Sequence, residues 1–256
     1  MSTIGFKRVV VRRDVMAEAK VDAANQRLEF TGRRMFVVNL VSSPGAGKTA
    51  LLEATAQYWQ GRYRLAVLVG DLETERDAAR LAPYLPVAQL TTGGACHLQL
   101  ALVQRGLEAL GNPDVDFLFI ENVGNLVCPA GHDLGEHLRV ALLSVTDGDD
   151  KPGKYPKIFR SCQGLVISKS DLLPYVPFQV AAAMQDAKQV QPALTMLTLS
   201  ALKGDGIEAW CQYLEQERQR CFATVPGAEP RSSASSDSAP PAATGSAVFA
   251  ATTKRP

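Results

Sequence analysis

The chain has 256 residues, 46% of them hydrophobic and 21% charged, an ordinary globular composition with enough apolar material for one sizeable core. Its 27 lysines and arginines against 26 acids leave a net charge of +1 with no basic block, which argues against nucleic acid or an anionic membrane and for small molecules or proteins as partners. No stretch has the length of a secretory apolar region or a membrane span, so the expected location is cytoplasmic, and five scattered cysteines without a CxxC pair are expected as reduced thiols.

Residues 1–30 read as a lead-in, with a helix from Asp14 to Glu29 that places Val21 and Leu28 on one face. Phe36 to Val41 reads as a buried strand, and Ser42-Ser43-Pro44-Gly45-Ala46-Gly47-Lys48-Thr49 follows at once as a phosphate-binding loop. Gly45, Ala46 and Gly47 let backbone N–H groups close around a β-phosphate, Lys48 reaches the β and γ oxygens, and Thr49 offers its hydroxyl to Mg²⁺. The usual pattern opens with Gly where Ser42 stands, so the match is complete from Gly45 to Thr49. Leu51, Leu52, Thr55 and Trp59 then recur at helical spacing, and that helix points its positive end at the same anion.

Further apolar runs at Leu65 to Val69, Val115 to Ile120, Leu165 to Ile167 and Met196 to Leu199 are separated by stretches that can hold helices. This alternation predicts an α/β fold, a mostly parallel sheet wrapped by helices, over residues 31–222. Ile207, Trp210, Cys211, Leu214 and Cys221 predict an amphipathic closing helix with its two thiols in the core. Residues 223–256, rich in Ala, Ser, Pro and Thr, read as a disordered tail.

The chemistry clusters at strand ends. Leu65 to Val69 runs into Gly70-Asp71 and Phe117 to Ile120 into Glu121, which sets two carboxylates where open α/β sheets bind ligands. Glu121 is the candidate for holding Mg²⁺ through water; Asp71 either orients the attacking water or joins the metal shell, with a plain strand-end cap as the alternative. Gly124, in Glu121-Asn122-Val123-Gly124, sits where a backbone N–H senses a γ-phosphate. Ser168-Lys169-Ser170-Asp171 is similar to the guanine-reading element of GTPases, whose usual form begins with Asn. Both oxygens of Asp171 can accept guanine donors that adenine lacks, Lys169 lies along the base, and Ser200-Ala201 is similar to the loop that backs up guanine O6; a simple helix N-cap is the bland alternative. Cys96-His97 and Cys128 make a soft donor set suited to Ni²⁺ or Zn²⁺, with incidental core cysteines as the alternative. His132 and His137 read as lone surface imidazoles, with auxiliary metal ligands as the alternative, and Lys151 and Lys154 either as a solvated loop or as cations reaching across a dimer.

Taken together, Asn39 to Thr49, Gly70-Asp71, Thr92 to His97, ENVGNLVCPA at Glu121 to Ala130 and Leu143 to Phe159 resemble the HypB family of hydrogenase nickel-incorporation GTPases. The resemblance implies a GTPase of the signal-recognition and MinD class that dimerises with GTP and binds nickel or zinc at the subunit interface through Cys96, His97 and Cys128. It implies catalytic roles for Lys48, Asp71 and Glu121, and as partners a nickel-binding accessory protein and the large subunit of a [NiFe]-hydrogenase. No cysteine precedes Cys96 and no His-rich tract exists, so nickel storage is not expected. The competing readings are a nickel GTPase serving another enzyme such as urease, a small-molecule kinase, and a nucleotide-gated scaffold without turnover.

Overall fold

The computed structural model describes residues 12–71 and 76–223. In chain order its elements are α1 (Arg12–Gly32), β1 (Phe36–Ser42), α2 (Lys48–Tyr58), β2 (Leu65–Asp71), α3 (Arg76–Leu81), β3 (Val87–Thr91), α4 (Leu100–Ala109), β4 (Phe117–Glu121), β5 (Leu138–Ser144), α5 (Lys151–Lys154), α6 (Pro156–Arg160), β6 (Gly164–Ser168), α7 (Val180–Val190), β7 (Thr195–Thr198) and α8 (Ile207–Ala223). The seven strands form one parallel sheet in the order β3-β2-β4-β1-β5-β6-β7. From β1 the chain builds outward first on one side and then on the other, so a topological switch point, the usual crevice for a ligand, lies at the carboxyl end of β1.

Every residue of β1, β4, β5 and β6 is buried, as expected of parallel strands covered on both faces. On one face Phe36, Val38 and Leu40 pack with Leu51, Leu52 and Trp59 of the α2 region and Trp210 and Leu214 of α8. On the other, Val37 packs with Phe30 of α1 and Val103 and Leu107 of α4, while Val41 joins Ile158, Phe159 and Ala183 near α6 and α7. Asn39 alternates onto this second face and is fully buried. The predicted strands and closing helix are all present, and Cys211 is buried with Cys221 packed at the core margin.

Two strands were not foreseen. β3 is a half-exposed edge strand with a weak apolar run, and the apolar run of β5 is interrupted by Arg139. The predicted face of α1 is also corrected. Val21 and Leu28 are 57% and 69% exposed, whereas Ala23, Gln26 and Phe30 are buried. The stripe is turned because Phe30 carries the larger apolar area and because Gln26 has polar partners, Gln104 at 2.7 Å and Glu29 at 3.0 Å. The predicted tail beyond Ala223 lies outside the described residues. Among those residues no helix is long and apolar enough to cross a membrane.

Candidate functional site

The loop between β1 and α2 has the shape its glycines permit. Gly47 holds φ at 94°, a left-handed conformation that favours glycine, and α2 starts at Lys48 directly behind it. Lys48 is buried, its Nζ donating to Ser42 Oγ at 3.0 Å. Burial pulls this ammonium below its ordinary range, and the charge of Glu121 pulls it back up. Ser42, the departure from the usual glycine, thus holds the lysine head at the strand end. Lys151, read as a loop residue, lies on α5 and reaches this same loop within its own chain, Nζ donating to Ser43 Oγ at 3.2 Å. Lys154 instead pairs with Asp150 in solvent.

Glu121 ends β4 between Leu40 of β1 and Val69 of β2. Thr49 Oγ1 donates to its Oε1 at 2.9 Å, while Oε2 is buried without a hydrogen-bond partner. Burial raises this carboxyl from 4.5 to about 7, with Lys48 and the Thr49 hydroxyl opposing the rise. A buried carboxylate with one open oxygen beside a threonine hydroxyl is a donor pair that fits a hard divalent cation. Asp71 ends β2 one strand away, paired in register with Thr91. Gly124 packs so tightly that a Cβ there would stand 2.8 Å from Pro44 Cα, so no larger residue can bring this loop against the phosphate loop. Between them Asn122 is buried, its Oδ1 accepting from Val123 N at 3.0 Å and from Leu98 N at 3.4 Å.

The predicted base-reading pieces also converge. Ser170 N donates to Leu199 O at 3.1 Å, and Ser200 Oγ donates to Asp171 Oδ1 at 2.5 Å. Lys169 adopts a left-handed φ of 60°, and its Cε passes 3.8 Å from where Gly47 would carry a Cβ. Ser168 is buried and donates to Ala46 O at 2.6 Å, which ties this element to the phosphate loop.

The loops after β3 and β4 bring Cys96 and Cys128 together. They are joined as a disulfide with Cα atoms 6.1 Å apart, which corrects the expectation that all five thiols are reduced. A turn closed by Thr92 Oγ1 on Ala95 O at 2.7 Å sets the first loop, and Asn125 sets the second by accepting from Val127 N and Cys128 N at 2.7 and 3.2 Å. His97 Nδ1 lies 3.9 Å from Cys96 Sγ, and its Nε2 is buried without a partner. Among the described residues, no group of three or more His, Cys, Asp or Glu stands in metal-holding geometry.

Neither remaining histidine is a lone surface imidazole. His132 stacks on His97, with centroids 3.7 Å apart, and burial with the neighbouring His97, Arg139 and Lys157 charges pulls it below its ordinary range. His137 stacks on Phe36, accepts from Val37 N at 2.9 Å through Nδ1 and meets Thr31 Oγ1 at 3.0 Å through Nε2. Burial lowers it to about 4.

Residues 36–198 match the family model for the CobW/HypB/UreG nucleotide-binding domain. The hydrogenase maturation factor HypB of Azotobacter chroococcum mcd 1 is 45% identical over 83% of this chain and 70% of its own length. The factor of the same name from Escherichia coli (strain K12) is 43% identical over 80% of this chain and 71% of its own. This chain belongs to the HypB family of hydrogenase maturation factors. The crystal structure of HypB from Helicobacter pylori in complex with nickel is 34% identical and superposes with a TM-score of 0.76, covering 80% of this chain and 97% of that one.

Within this HypB-family chain, the sequence motifs single out the loops of the candidate nucleotide site but not the side-chain bonds that join them. Ser42 and Ser168 stand out in the sequence only as departures from the usual Gly and Asn, and Asn122 only as part of a string; their bonds to Lys48 Nζ, Ala46 O and Leu98 N leave no sequence pattern. The ENVGNLVCPA string pointed to the segment around Asn122 but not to its bond with the loop of His97.

Proposed function

We propose that this chain hydrolyses GTP with Mg²⁺ and uses the nucleotide cycle to control binding and delivery of nickel to a [NiFe]-hydrogenase. One observation carries the reading: the segment from Glu121 to Cys128 serves both clusters. Its first residue faces Thr49, its Gly124 lies against Pro44, and its last sulfur meets Cys96. Asn122 bonds the backbone beside His97 from the middle of the same segment. A shift of Gly124 on loss of a γ-phosphate therefore moves the donors of the second cluster.

In this reading the N–H groups of Gly45 to Thr49 bind the phosphates, and Lys48 stabilises charge on the β and γ oxygens. Mg²⁺ held by Thr49 and, through water, Glu121 supplies further neutralisation of the phosphate charge. Asp71 orients the attacking water, while Asp171, with Lys169, Ser200 and Ala201, selects guanine. Cys96, His97 and Cys128 take nickel or zinc as cargo, for which the unpartnered Nε2 of His97 and the adjacent sulfurs are a suitable soft set. The GTP-bound form is a homodimer with this cluster at its interface, working in the cytoplasm with a nickel-binding accessory protein and the hydrogenase large subunit. The nickel complex of the Helicobacter pylori relative supports the cargo assignment.

Parallel turnover assays with GTP and ATP, with and without Mg²⁺, test this reading, together with light scattering in GDP and in a non-hydrolysable GTP analogue. Slow Mg²⁺-dependent GTP hydrolysis and analogue-induced dimers are expected. Equal use of ATP, or turnover indifferent to Mg²⁺, would overturn it.

A further inference from the structure

Two lysines from different elements meet the serines that open the phosphate loop. Lys48, on α2 behind the loop, donates to Ser42 Oγ at 3.0 Å, and Lys151, on α5, donates to Ser43 Oγ at 3.2 Å. Lys151 arrives from the loop after β5, the strand that pairs with β1 on the side away from β4. Its backbone is held at both ends, its N–H donating to Gly148 O at 3.3 Å and its carbonyl accepting from Tyr155 N at 2.9 Å. The ammonium also lies 5.5 Å from the centre of the Tyr155 ring, a cation–π contact that limits its freedom. The acids that precede it are engaged elsewhere: Asp150 pairs with Lys154, and Asp149 Oδ2 accepts from Gln179 N at 3.1 Å. Lys151 thus brings a second, half-buried positive charge to a loop that already holds Lys48. With one of its three protons on Ser43, it has two left for an anion.

The phosphate loop has two ends. The base-reading element meets it at Ala46, through Ser168, and at Gly47, through Lys169, whereas Gly124 stands against Pro44, the neighbour of Ser43. Lys151 therefore touches the end that faces Gly124, where the γ-phosphate lies in the reading above, and not the end toward the base. We infer that Lys151 is a catalytic residue supplied by the same chain: its ammonium binds the γ-phosphate of the nucleotide on its own phosphate loop and offsets the charge that develops there during hydrolysis. The inference rests on the GTPase reading above and deepens it. In the step itself the water oxygen bonds to the γ-phosphorus, and the bond from that phosphorus to the β–γ bridging oxygen breaks with its electron pair left on GDP. One water proton stays on the released phosphate and the other passes to solvent; Lys151 keeps its own protons throughout.

The test uses the full chain with Mg²⁺ and measures kcat and KM for GTP, together with affinities for GDP and for a non-hydrolysable GTP analogue. Lys151→Met, which keeps the side-chain stem without the charge, is expected to lower kcat about 10²-fold, the loss that follows removal of one donor from developing charge. It should weaken the analogue about tenfold or more, as for a hydrogen bond to a charged group, and leave GDP affinity and the melting temperature unchanged. Lys151→Arg, which keeps the charge, should recover most of the loss. Wild-type kcat in Lys151→Met, or equal weakening of GDP and the analogue, would overturn the inference. The variant is expected to lose the same factor at protein concentrations where light scattering shows monomers and where it shows dimers; an unchanged rate in the monomer would place the lysine across an interface and overturn it as well. If wild type does not turn GTP over at all, the GTPase reading fails, and the GDP and analogue affinities still decide whether Lys151 meets a γ-phosphate.

Discussion

Two buried charged clusters flank β1, and they differ in how completely their polar atoms are satisfied. Arg139 and Glu136 form a buried ion pair in which every atom is used. Arg139 Nε donates to Glu136 Oε1 at 2.7 Å and its other nitrogens to Ser161 Oγ and His132 O, while Glu136 Oε2 accepts from Leu134 N at 2.7 Å. Asn39 of β1 adds a bond to Glu136 Oε1 at 3.2 Å and accepts another from Asn122. At the phosphate loop, Lys48 and Glu121 are as deeply buried, but Glu121 Oε2 has no partner. A saturated polar network fixes one arrangement of the backbone, whereas an open oxygen beside a buried cation costs stability and is kept for something that binds there. The first cluster is therefore framework and the second is the candidate site.

The largest effect that separates them is expected at Arg139. Arg139→Leu removes one partner of a buried pair and should cost about 3–5 kcal/mol in chemical denaturation, with GTP turnover per folded molecule little changed. A cost below about 1 kcal/mol would place Arg139 with surface pairs. Lys48→Ala should have the opposite profile. Turnover should fall about 10²–10³-fold with loss of a preorganised charge at the phosphates, and undiminished hydrolysis would refute the phosphate-loop assignment.

The framework also has a pH signature. His137 is lowered from 6.5 to about 4, so the unfolded chain takes up a proton before the folded one does. Its contribution is present above pH 6.5 and is lost as pH falls toward about 4, a change of about 3 kcal/mol. His137→Asn, which keeps an acceptor near the Nδ1 position, should flatten the pH dependence of the melting temperature in that window; an unchanged slope would show that another group sets it. Burial of Glu121 acts in the reverse sense, its contribution present below 4.5 and lost as pH rises through about 7. The smallest expected effect is at the base-reading element. Asp171→Asn should weaken GTP binding about tenfold or more, as expected from one hydrogen bond to a charged group, and favour xanthosine triphosphate; unchanged GTP affinity would exclude Asp171 as the reader.

Much of this arrangement is legible in the sequence because it is local. The strand, loop and helix around Gly45 to Thr49 lie in one short stretch, and the strand-end acids Asp71 and Glu121 follow from apolar runs that stop abruptly. What is not local is not legible. Cys96 and Cys128 read in the sequence as one donor set, but that these residues, 32 apart, are joined as a disulfide is not legible there. His132 carries no pattern of its own until His97 is seen against it. The α1 face turned because Gln26, polar and unpromising in a sequence, finds Gln104 on α4. β5 was obscured by Arg139, a charge tolerated in a central strand because Glu136, Ser161 and His132 satisfy it.

The central claim is that nucleotide state and metal affinity are coupled through the Glu121 to Cys128 segment. The measurement that tests it is titration of the reduced protein with Ni²⁺ and Zn²⁺ in GDP and in a non-hydrolysable GTP analogue, repeated on Cys128→Ala. The account predicts affinities that differ between the two states by roughly 5–150-fold, about 1–3 kcal/mol of coupling, matched by an equal effect of metal on nucleotide affinity or dimerisation, and abolished in the variant. Equal metal affinity in both states, or wild-type binding by Cys128→Ala, would contradict it.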